Sequence, residues 1–270
     1  MTAKRNTSRR ASSNPQAPYR PPRTERVRRG TVATERDWDA LLLIGVCRYL
    51  TMTQVARELF SSEDRCSRRL RALYDLGYLN IALTSGGASA NLYALTRRGL
   101  SLLQQHRPEA VAVRLPGTPP RLAGVAHHLL VADCRLFAAA WGMSRSAPLT
   151  RWANAGGTLA TELNIVGLEP DGLAEFATRA GPIVVAAECD RSTEGVAVTM
   201  RRKMERYVAV AESGRVDALW LVVTGGAERQ ASLWRLVRDL GLGDWTRIIP
   251  HAVITARPVM ELPPRCGDRP

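Results

Sequence analysis

The stretch that decides the fold of the first half is residues 61–83, SSEDRCSRRLRALYDLGYLNIAL. Ser61 or Ser62, followed by two acidic residues, is typical of a helix start, because a serine side chain caps free backbone N–H groups and carboxylates favour the positive end of the helix dipole. Cys66 and Leu70 begin an apolar repeat at helical spacing. The residues from Tyr78 onward favour a strand. The stretch therefore predicts a helix that leads through a tight turn into a strand.

The opposite face of this predicted helix is basic. Arg65, Arg68 and Arg71 follow one another at three-residue spacing, which places them on one side of a helix. A helix has the width to enter the major groove of DNA, where arginines contact phosphates and bases. The three arginines are therefore candidate DNA-binding residues, with a merely solvated basic face as the alternative.

Helices and a hairpin surround this element. Apolar spacing predicts a core-packing helix from residue 36 and a short second helix after it. Residues 78–83 and 91–96 predict two strands joined by a glycine-bearing loop, and Thr96 caps a last helix. The order helix, helix, helix, hairpin, helix is that of a winged helix-turn-helix over residues 36–107. Winged helices also serve as protein–protein adaptors, so this order alone leaves DNA binding open.

Composition limits the class of protein. The chain has 270 residues, 45% of them apolar, which is enough for two modest domains with their own cores. It has no apolar run near the roughly 20 residues that span a bilayer and no secretory signal, so we expect a cytoplasmic protein without membrane contact. Five scattered cysteines argue against a disulfide framework or a zinc knuckle and are expected to be buried.

The net charge favours a polyanionic partner. Lysine and arginine total 38 against 25 acidic residues, a balance of +13, so double-stranded DNA is the first partner to expect. Residues 1–35 contain nine basic and two acidic residues, which is +7 of that balance. Their polar composition predicts a disordered arm, in which Arg28 and Arg29 are expected to contact phosphates without reading sequence. The alternatives are a solvated leader and a charge that serves only solubility.

The second half of the chain follows a different pattern. Proline and glycine in residues 108–121 indicate a linker, and residues 258–270 are expected to be a disordered tail. Between them, the predicted elements are a helix at 122–141, strands around 157–165, 170–176 and 182–189, a helix at 196–211, a strand at 217–223, a helix at 228–240 and a strand at 246–254. This alternation implies an α/β domain over residues 122–257, with helices against a mixed sheet.

Acidic residues fall where two of these strands begin and end. Asp171 opens the second strand, and Glu188 and Asp190 end the third, where a side-chain period of two points both to one face. The three carboxylates predict an oxygen cluster suited to Mg²⁺ or Mn²⁺, which would polarise a phosphodiester and activate water. The alternative for Glu188 and Asp190 is helix capping and ion pairing with Arg191, Arg201 or Arg202. His127 and His128 point about 100° apart on a helix, so we expect them to pack rather than share a metal ion.

These residues resemble the PD-(D/E)XK nuclease superfamily, in which a Pro-Asp and a later Glu-x-Lys lie on neighbouring strands. Pro170-Asp171 and Glu188 match that pattern, but Asp190 stands in place of the lysine. In some members the lysine lies in the following helix, and the resemblance implies that role for Lys203. Its compact amine would orient water or steady charge on the phosphate, which an arginine fork cannot replace. The domain is then either a metal-dependent DNA nuclease or a retired one used for assembly.

As a whole, residues 36–225 resemble the bacterial replication-relaxation family, proteins implicated in replication and relaxation of plasmid and other mobile-element DNA. The resemblance rests on YALTRRG at 93–99, the helix around His128, EPDG at 169–172, AECDRSTE at 187–194 and RKMERY at 202–207. It implies a DNA-binding protein that serves a mobile element, with its replication or relaxase proteins as partners, and leaves catalysis open. A winged-helix transcription regulator is the alternative.

Overall fold

The computed structural model describes residues 32–82, 91–115, 122–154 and 168–256. The chain divides between residues 119 and 120 into two compact units, which we call unit 1 and unit 2. The expected N-terminal arm up to residue 31, the loop of the hairpin, the predicted strand around 157–165 and the C-terminal tail lie outside the described residues.

Unit 1 consists of helices packed around a small three-stranded sheet. Its elements are α1 (Glu35–Cys47), β1 (Leu50–Thr51), α2 (Met52–Leu59), α3 (Glu63–Asp75), β2 (Leu79–Ala82), β3 (Leu92–Leu95), α4 (Arg97–His106) and a 3₁₀ turn at Pro108–Ala112. Strand β3 lies between β1 and β2 and is antiparallel to both. Strand β1 could not be predicted, because two residues are too few to show an alternating pattern.

Local capping explains where the helices of unit 1 begin. Thr51 and Gln54 form a reciprocal capping box at the start of α2, with the Gln54 N–H donating to the Thr51 hydroxyl at 3.2 Å and the Thr51 N–H donating to the Gln54 side chain at 3.0 Å. Ser62 caps α3. Leu70 and Leu73 of α3 are fully buried, so one side of this helix is fixed in the core.

Unit 2 contains a five-stranded sheet. Its elements are α5 (Leu122–Ser144), β4 (Leu149–Asn154), β5 (Gly172–Thr178), β6 (Gly181–Asp190), a π-helical turn at Val196–Met200, α6 (Arg201–Glu212), β7 (Ala218–Val223), α7 (Ala227–Asp239), β8 (Thr246–Pro250) and α8 (His251–Thr255). The strands follow chain order across the sheet, with β4, β5 and β6 antiparallel and β6, β7 and β8 parallel. The prediction of a mixed α/β fold is confirmed.

Two elements of unit 2 differ from the sequence-based expectation. Strand β4 occupies Leu149–Asn154, which the sequence pattern leaves irregular, because this edge strand is half-exposed and shows little apolar alternation. Strand β8 ends at Pro250 instead of residue 254 and is followed by the short helix α8. Pro250 has no N–H group with which to extend the ladder, which explains the early end.

The sheet of unit 2 is covered on both faces. Along β6, Ala187 packs in a core with Phe137 of α5, while Ala186 packs in a second core with Tyr207 of α6. Because side chains alternate along a strand, Glu188 points to the same face as Ala186. The acidic end of β6 is therefore directed towards α6 and α7.

The cysteines and the helices can be compared with what the composition predicts. Cys47, Cys66, Cys134 and Cys189 are buried with free thiols, as their scattered spacing predicts, and Cys266 lies outside the described residues. None of the helices within the described ranges combines the length and apolar character needed to cross a membrane.

Candidate functional site

Asp171 and Glu188 come together at one end of neighbouring strands. In the register of β5 and β6, Gly172 faces Ala187, so Asp171, the residue before β5, lies beside Glu188. The backbone N–H of Cys189 donates a hydrogen bond to Oδ2 of Asp171 at 2.8 Å. This bond fixes the Asp171 carboxylate against β6.

Glu188 is buried, with 1% of its surface exposed, and two donors from α6 hold its carboxyl group. Nζ of Lys203 donates to Oε2, and the hydroxyl of Tyr207 donates to Oε1 at 2.5 Å. Burial raises the pKa of Glu188 to about 8, an effect that the ammonium of Lys203 opposes and the charge of Asp171 increases. Burial therefore favours the protonated form of Glu188.

Asp171 has the opposite protonation preference. Nε2 of His127, on α5, lies 2.9 Å from Oδ1 of Asp171. Burial alone raises the pKa of Asp171, but the hydrogen bond from His127 and the charge of Lys203 outweigh it and hold that pKa below its usual value. The site thus contains one ionised carboxylate beside one carboxyl group whose protonated form is favoured by burial, a separation typical of acid–base sites.

Lys203 carries the positive charge next to both carboxyl groups. It follows the π-helical turn Val196–Met200 on α6, and such turns are frequent at functional sites. Burial lowers the pKa of Lys203, but the charges of Glu188 and Asp171 outweigh this effect and raise it above the usual value. Its side chain remains 31% exposed while its ammonium group binds Glu188.

Asp190 does not offer free oxygens to this group. Arg229 of α7 binds its carboxylate through two nitrogens, with Nε at 2.8 Å from Oδ2 and Nη2 at 2.9 Å from Oδ1. The backbone N–H of Ser192 also donates to Oδ1, and Arg229 donates to the carbonyl of Glu194 at 2.7 Å. The ion pair between Asp190 and Arg229 thus anchors the segment from residue 190 to 194. Arg229 is not among the arginines that the sequence suggests as partners of Asp190.

Because Arg229 binds the Asp190 carboxylate, two of the three predicted metal ligands remain available. Within the described ranges, no group of three or more His, Cys, Asp and Glu side chains is arranged to hold a metal ion. Asp171 and Glu188 remain as an adjacent pair of carboxyl groups. Mg²⁺ is commonly bound through one or two carboxylates together with water and substrate phosphates, so this pair suits it in kind and number.

These side chains line one polar cleft with a volume of about 320 Å³. Besides His127, Asp171, Glu188 and Lys203, its lining includes Arg191, Thr193 and Glu194. The cleft combines the acidic side chains of Asp171, Glu188, Asp190 and Glu194 with cations from Lys203 and Arg191. This combination is able to bind a phosphate group and to transfer a proton beside it.

The sequence-based prediction misses His127, which lines this cleft, and Tyr207, which binds Glu188 without lining the cleft. It assigns His127 to packing, because its partner Asp171 lies 44 residues away and spacing does not connect them. It gives Tyr207 no role, although Lys203 and Tyr207 are four residues apart and therefore lie on one face of α6. That spacing is a signal by which Tyr207 could have been found.

The basic face of α3 is the candidate nucleic-acid surface of unit 1. Arg65, Arg68 and Arg71 are exposed, whereas Cys66 and Leu70 on the other side of the helix are fully buried. The apolar repeat and the basic repeat of the sequence therefore occupy opposite sides.

The arginines of this face differ in their contacts. Arg71 forms an ion pair with Asp75 one turn later, at 3.0 Å. Arg68 has no hydrogen bond or ion pair with any residue that the structure describes, which leaves its guanidinium available. The other two candidate DNA-binding arginines, Arg28 and Arg29, lie outside the described residues.

When the chain is compared with known proteins, one family model covers most of the residues described above. Residues 41–219, more than half of the chain, match the model of the family described as replication-relaxation. The matched range includes α3, Asp171, Glu188 and Lys203, and the match confirms the resemblance to the replication-relaxation family. No curated protein and no solved structure matches the chain.

Proposed function

Because the chain belongs to the replication-relaxation family, we propose that it binds duplex DNA and acts in the replication, relaxation or mobilisation of a plasmid or another mobile element. The basic face of α3 carries this proposal, with Arg65, Arg68 and Arg71 exposed on a helix whose other side is buried. The net charge of +13 supports it. Unit 1 acts as a winged helix whose α3 enters the major groove, while residues 1–35 add phosphate contacts.

A gel-shift titration tests this function. Changing Arg65, Arg68 and Arg71 together to alanine is expected to weaken duplex binding and to lower the log–log salt slope by about 0.9 for each phosphate that these arginines neutralise in the wild type. The matched control removes three exposed arginines of unit 2, Arg179, Arg215 and Arg235. A triple α3 variant that keeps wild-type affinity and salt slope would show that α3 is not the DNA-binding helix.

Footprinting separates this function from that of a transcription regulator. A regulator of the winged-helix type is expected to bind a palindromic site as a dimer, with no effect of divalent metal. A protein that serves replication or relaxation is expected to act with the replication or relaxase proteins of its element, whose genes would lie nearby.

A second candidate function, favoured by the cleft of unit 2, is metal-dependent hydrolysis of a DNA phosphodiester. Asp171, Glu188 and Lys203 support it because they meet in one polar cleft. Asp171 and Glu188 would hold Mg²⁺ or Mn²⁺, which supplies Lewis-acid activation of a phosphate and of water when bound. Lys203 steadies the negative charge on the phosphate, and His127 keeps Asp171 in position by its hydrogen bond.

Supercoiled plasmid incubated with and without Mg²⁺ or Mn²⁺ tests this second function. Nicked circles are expected only with metal, and Glu188→Gln is expected to abolish both nicking and the metal-induced rise in melting temperature. Lys203→Ala is expected to keep metal binding but lose nicking, and Lys203→Arg is not expected to restore it. Calorimetry without divalent-ion binding at millimolar concentration would contradict the nuclease, and unit 2 would then serve in assembly.

A further inference from the structure

A second cleft lies within unit 1, between the start of α1 and the first turns of α3. Its volume is about 440 Å³, and four arginines from the two helices line it: Arg36, Arg65, Arg68 and Arg69. Phe60, which follows α2 directly, contributes an aromatic ring to the lining. The cleft therefore adds Arg36 and Arg69 to two arginines of the α3 face.

The acidic side chains of this cleft already have cationic partners. Nε of Arg69 binds Oδ1 of Asp37 at 2.9 Å, and a second contact joins the same two groups. Glu35 is bound by Arg107 at 2.9 Å. Arg107, which lies outside the lining, also binds Asp39 at 2.8 Å, so the lining itself has four arginines against two acidic residues and a net positive charge.

Arg36 brings α1 into this cationic group. Its side chain is exposed, and its guanidinium lies over the ring of Phe60 at 5.7 Å from the ring centroid. Stacking on an aromatic face holds a guanidinium in one orientation and leaves its N–H edge available for an anion. Arg65 and Arg68 line the same cleft from α3.

We propose that this cleft, which we call the arginine cleft (Arg36, Arg65 and Arg68 beside Phe60), binds a backbone phosphate of duplex DNA. The inference rests on the proposed DNA binding and extends it from α3 to α1. Phosphate suits the cleft because guanidinium groups bind its oxygens with paired, charge-assisted hydrogen bonds. A backbone phosphate is present in every duplex, so the contact fixes the protein on DNA without reading bases.

Arg36→Ala in the full chain tests the arginine cleft. If the variant no longer neutralises one phosphate, the log–log salt slope falls by about 0.9, which corresponds to about eightfold weaker binding at 0.1 M salt relative to a 1 M reference. We expect this weakening to be the same for duplexes of unrelated sequence. Arg97→Ala is the matched control, because Arg97 is also exposed in unit 1 but does not line the cleft, and it is expected to retain affinity.

Two further variants examine the geometry. Arg36→Lys keeps the charge but loses the fork, so its affinity is expected to lie between those of the wild type and Arg36→Ala. Arg36→Ala and Arg68→Ala, measured singly and together, are expected to be non-additive, because two arginines that share a phosphate are coupled. Additive effects would show that the two arginines bind separate groups and would overturn the shared cleft.

The outcomes separate this inference from the proposed function. If Arg36→Ala melts like the wild type and binds duplex with an unchanged salt slope, while the triple α3 variant is weakened, the arginine cleft is wrong and DNA binding by α3 stands. If the wild type itself does not bind duplex, both fail. Tight binding of inorganic phosphate that Arg36→Ala abolishes would assign the cleft to a small anion instead of DNA.

Discussion

Asp190 shows how one distant ion pair changes the role of a residue within a motif. It stands where the nuclease pattern has a lysine, yet its carboxylate is buried and bound by Arg229 from α7. Removing one partner of a buried pair leaves the other charge without compensation, which costs about 3–5 kcal/mol. Asp190 is therefore assigned to the support of the cleft and not to its chemistry.

Arg229→Ala is expected to lower the free energy of unfolding of unit 2 by about 3–5 kcal/mol, because it leaves the Asp190 carboxylate buried and unpaired. Denaturant unfolding measures this decrease. The double variant Asp190→Asn with Arg229→Gln, which removes both charges, is expected to recover much of it. Unfolding of Arg229→Ala at the wild-type denaturant concentration would contradict the anchoring role.

A second residue-scale prediction concerns pH. Burial on its own raises the pKa of Asp37, but hydrogen bonds from Arg69 and Thr34 outweigh it and hold that pKa below 3.8. A lowered pKa in the folded state stabilises unit 1 above the unfolded pKa, and this stabilisation is lost as the pH falls through the folded value. The protection factors of the α1 amides, which are corrected for the intrinsic pH dependence of exchange, are therefore expected to fall more steeply below about pH 4 in the wild type than in Asp37→Asn. Parallel pH profiles would contradict this linkage.

At the scale of elements, the features that sequence predicts well are those that depend on neighbours in the chain. Helix α3 could be predicted because Ser62 caps it and its apolar repeat is local. The adjacency of Asp171 and Glu188 also follows from sequence, since it needs only two consecutive strands. Contacts of His127 and Arg229 could not be predicted, because they join residues 44 and 39 positions apart.

The cap of α3 provides an element-scale test. The hydroxyl of Ser62 accepts a hydrogen bond from the N–H of Arg65, so Ser62→Ala is expected to cost about 1 kcal/mol of stability. Because Arg65 lies in the first turn, duplex affinity is expected to fall as well. Ser67→Ala, the same change at an exposed position within α3, is the control and is expected to leave both melting temperature and gel-shift affinity near wild-type values.

At the scale of the whole molecule, each unit has its own core and its own candidate site. Changes at one site are therefore expected to leave the other intact. The triple α3 variant should keep the metal-induced rise in melting temperature, and Glu188→Gln should keep wild-type affinity for duplex DNA in the absence of metal. A gel-shift and a thermal-shift series on both variants checks this independence, which loss of both functions in either variant would contradict.

The N-terminal segment carries a separate prediction. Deletion of residues 1–30 removes nine basic residues and one acidic residue, and it is expected to lower affinity almost equally for all duplex sequences and to flatten the salt dependence. Filter binding to several duplexes measures both effects. Loss of preference for one sequence would instead indicate that the segment reads a minor groove.

Because the chain has few lysines, an amine-specific reagent can label the cleft of unit 2 selectively. Only Lys4 and Lys203 carry side-chain amines in the whole chain, so an acylating reagent has few targets besides the terminal amine. The raised pKa of Lys203, which Glu188 and Asp171 sustain against the effect of burial, keeps its amine protonated and slows its acylation relative to Lys4. The rate at which Lys203 is acylated therefore reports whether the cleft is occupied. A phosphate ligand bound in the cleft would slow this acylation further.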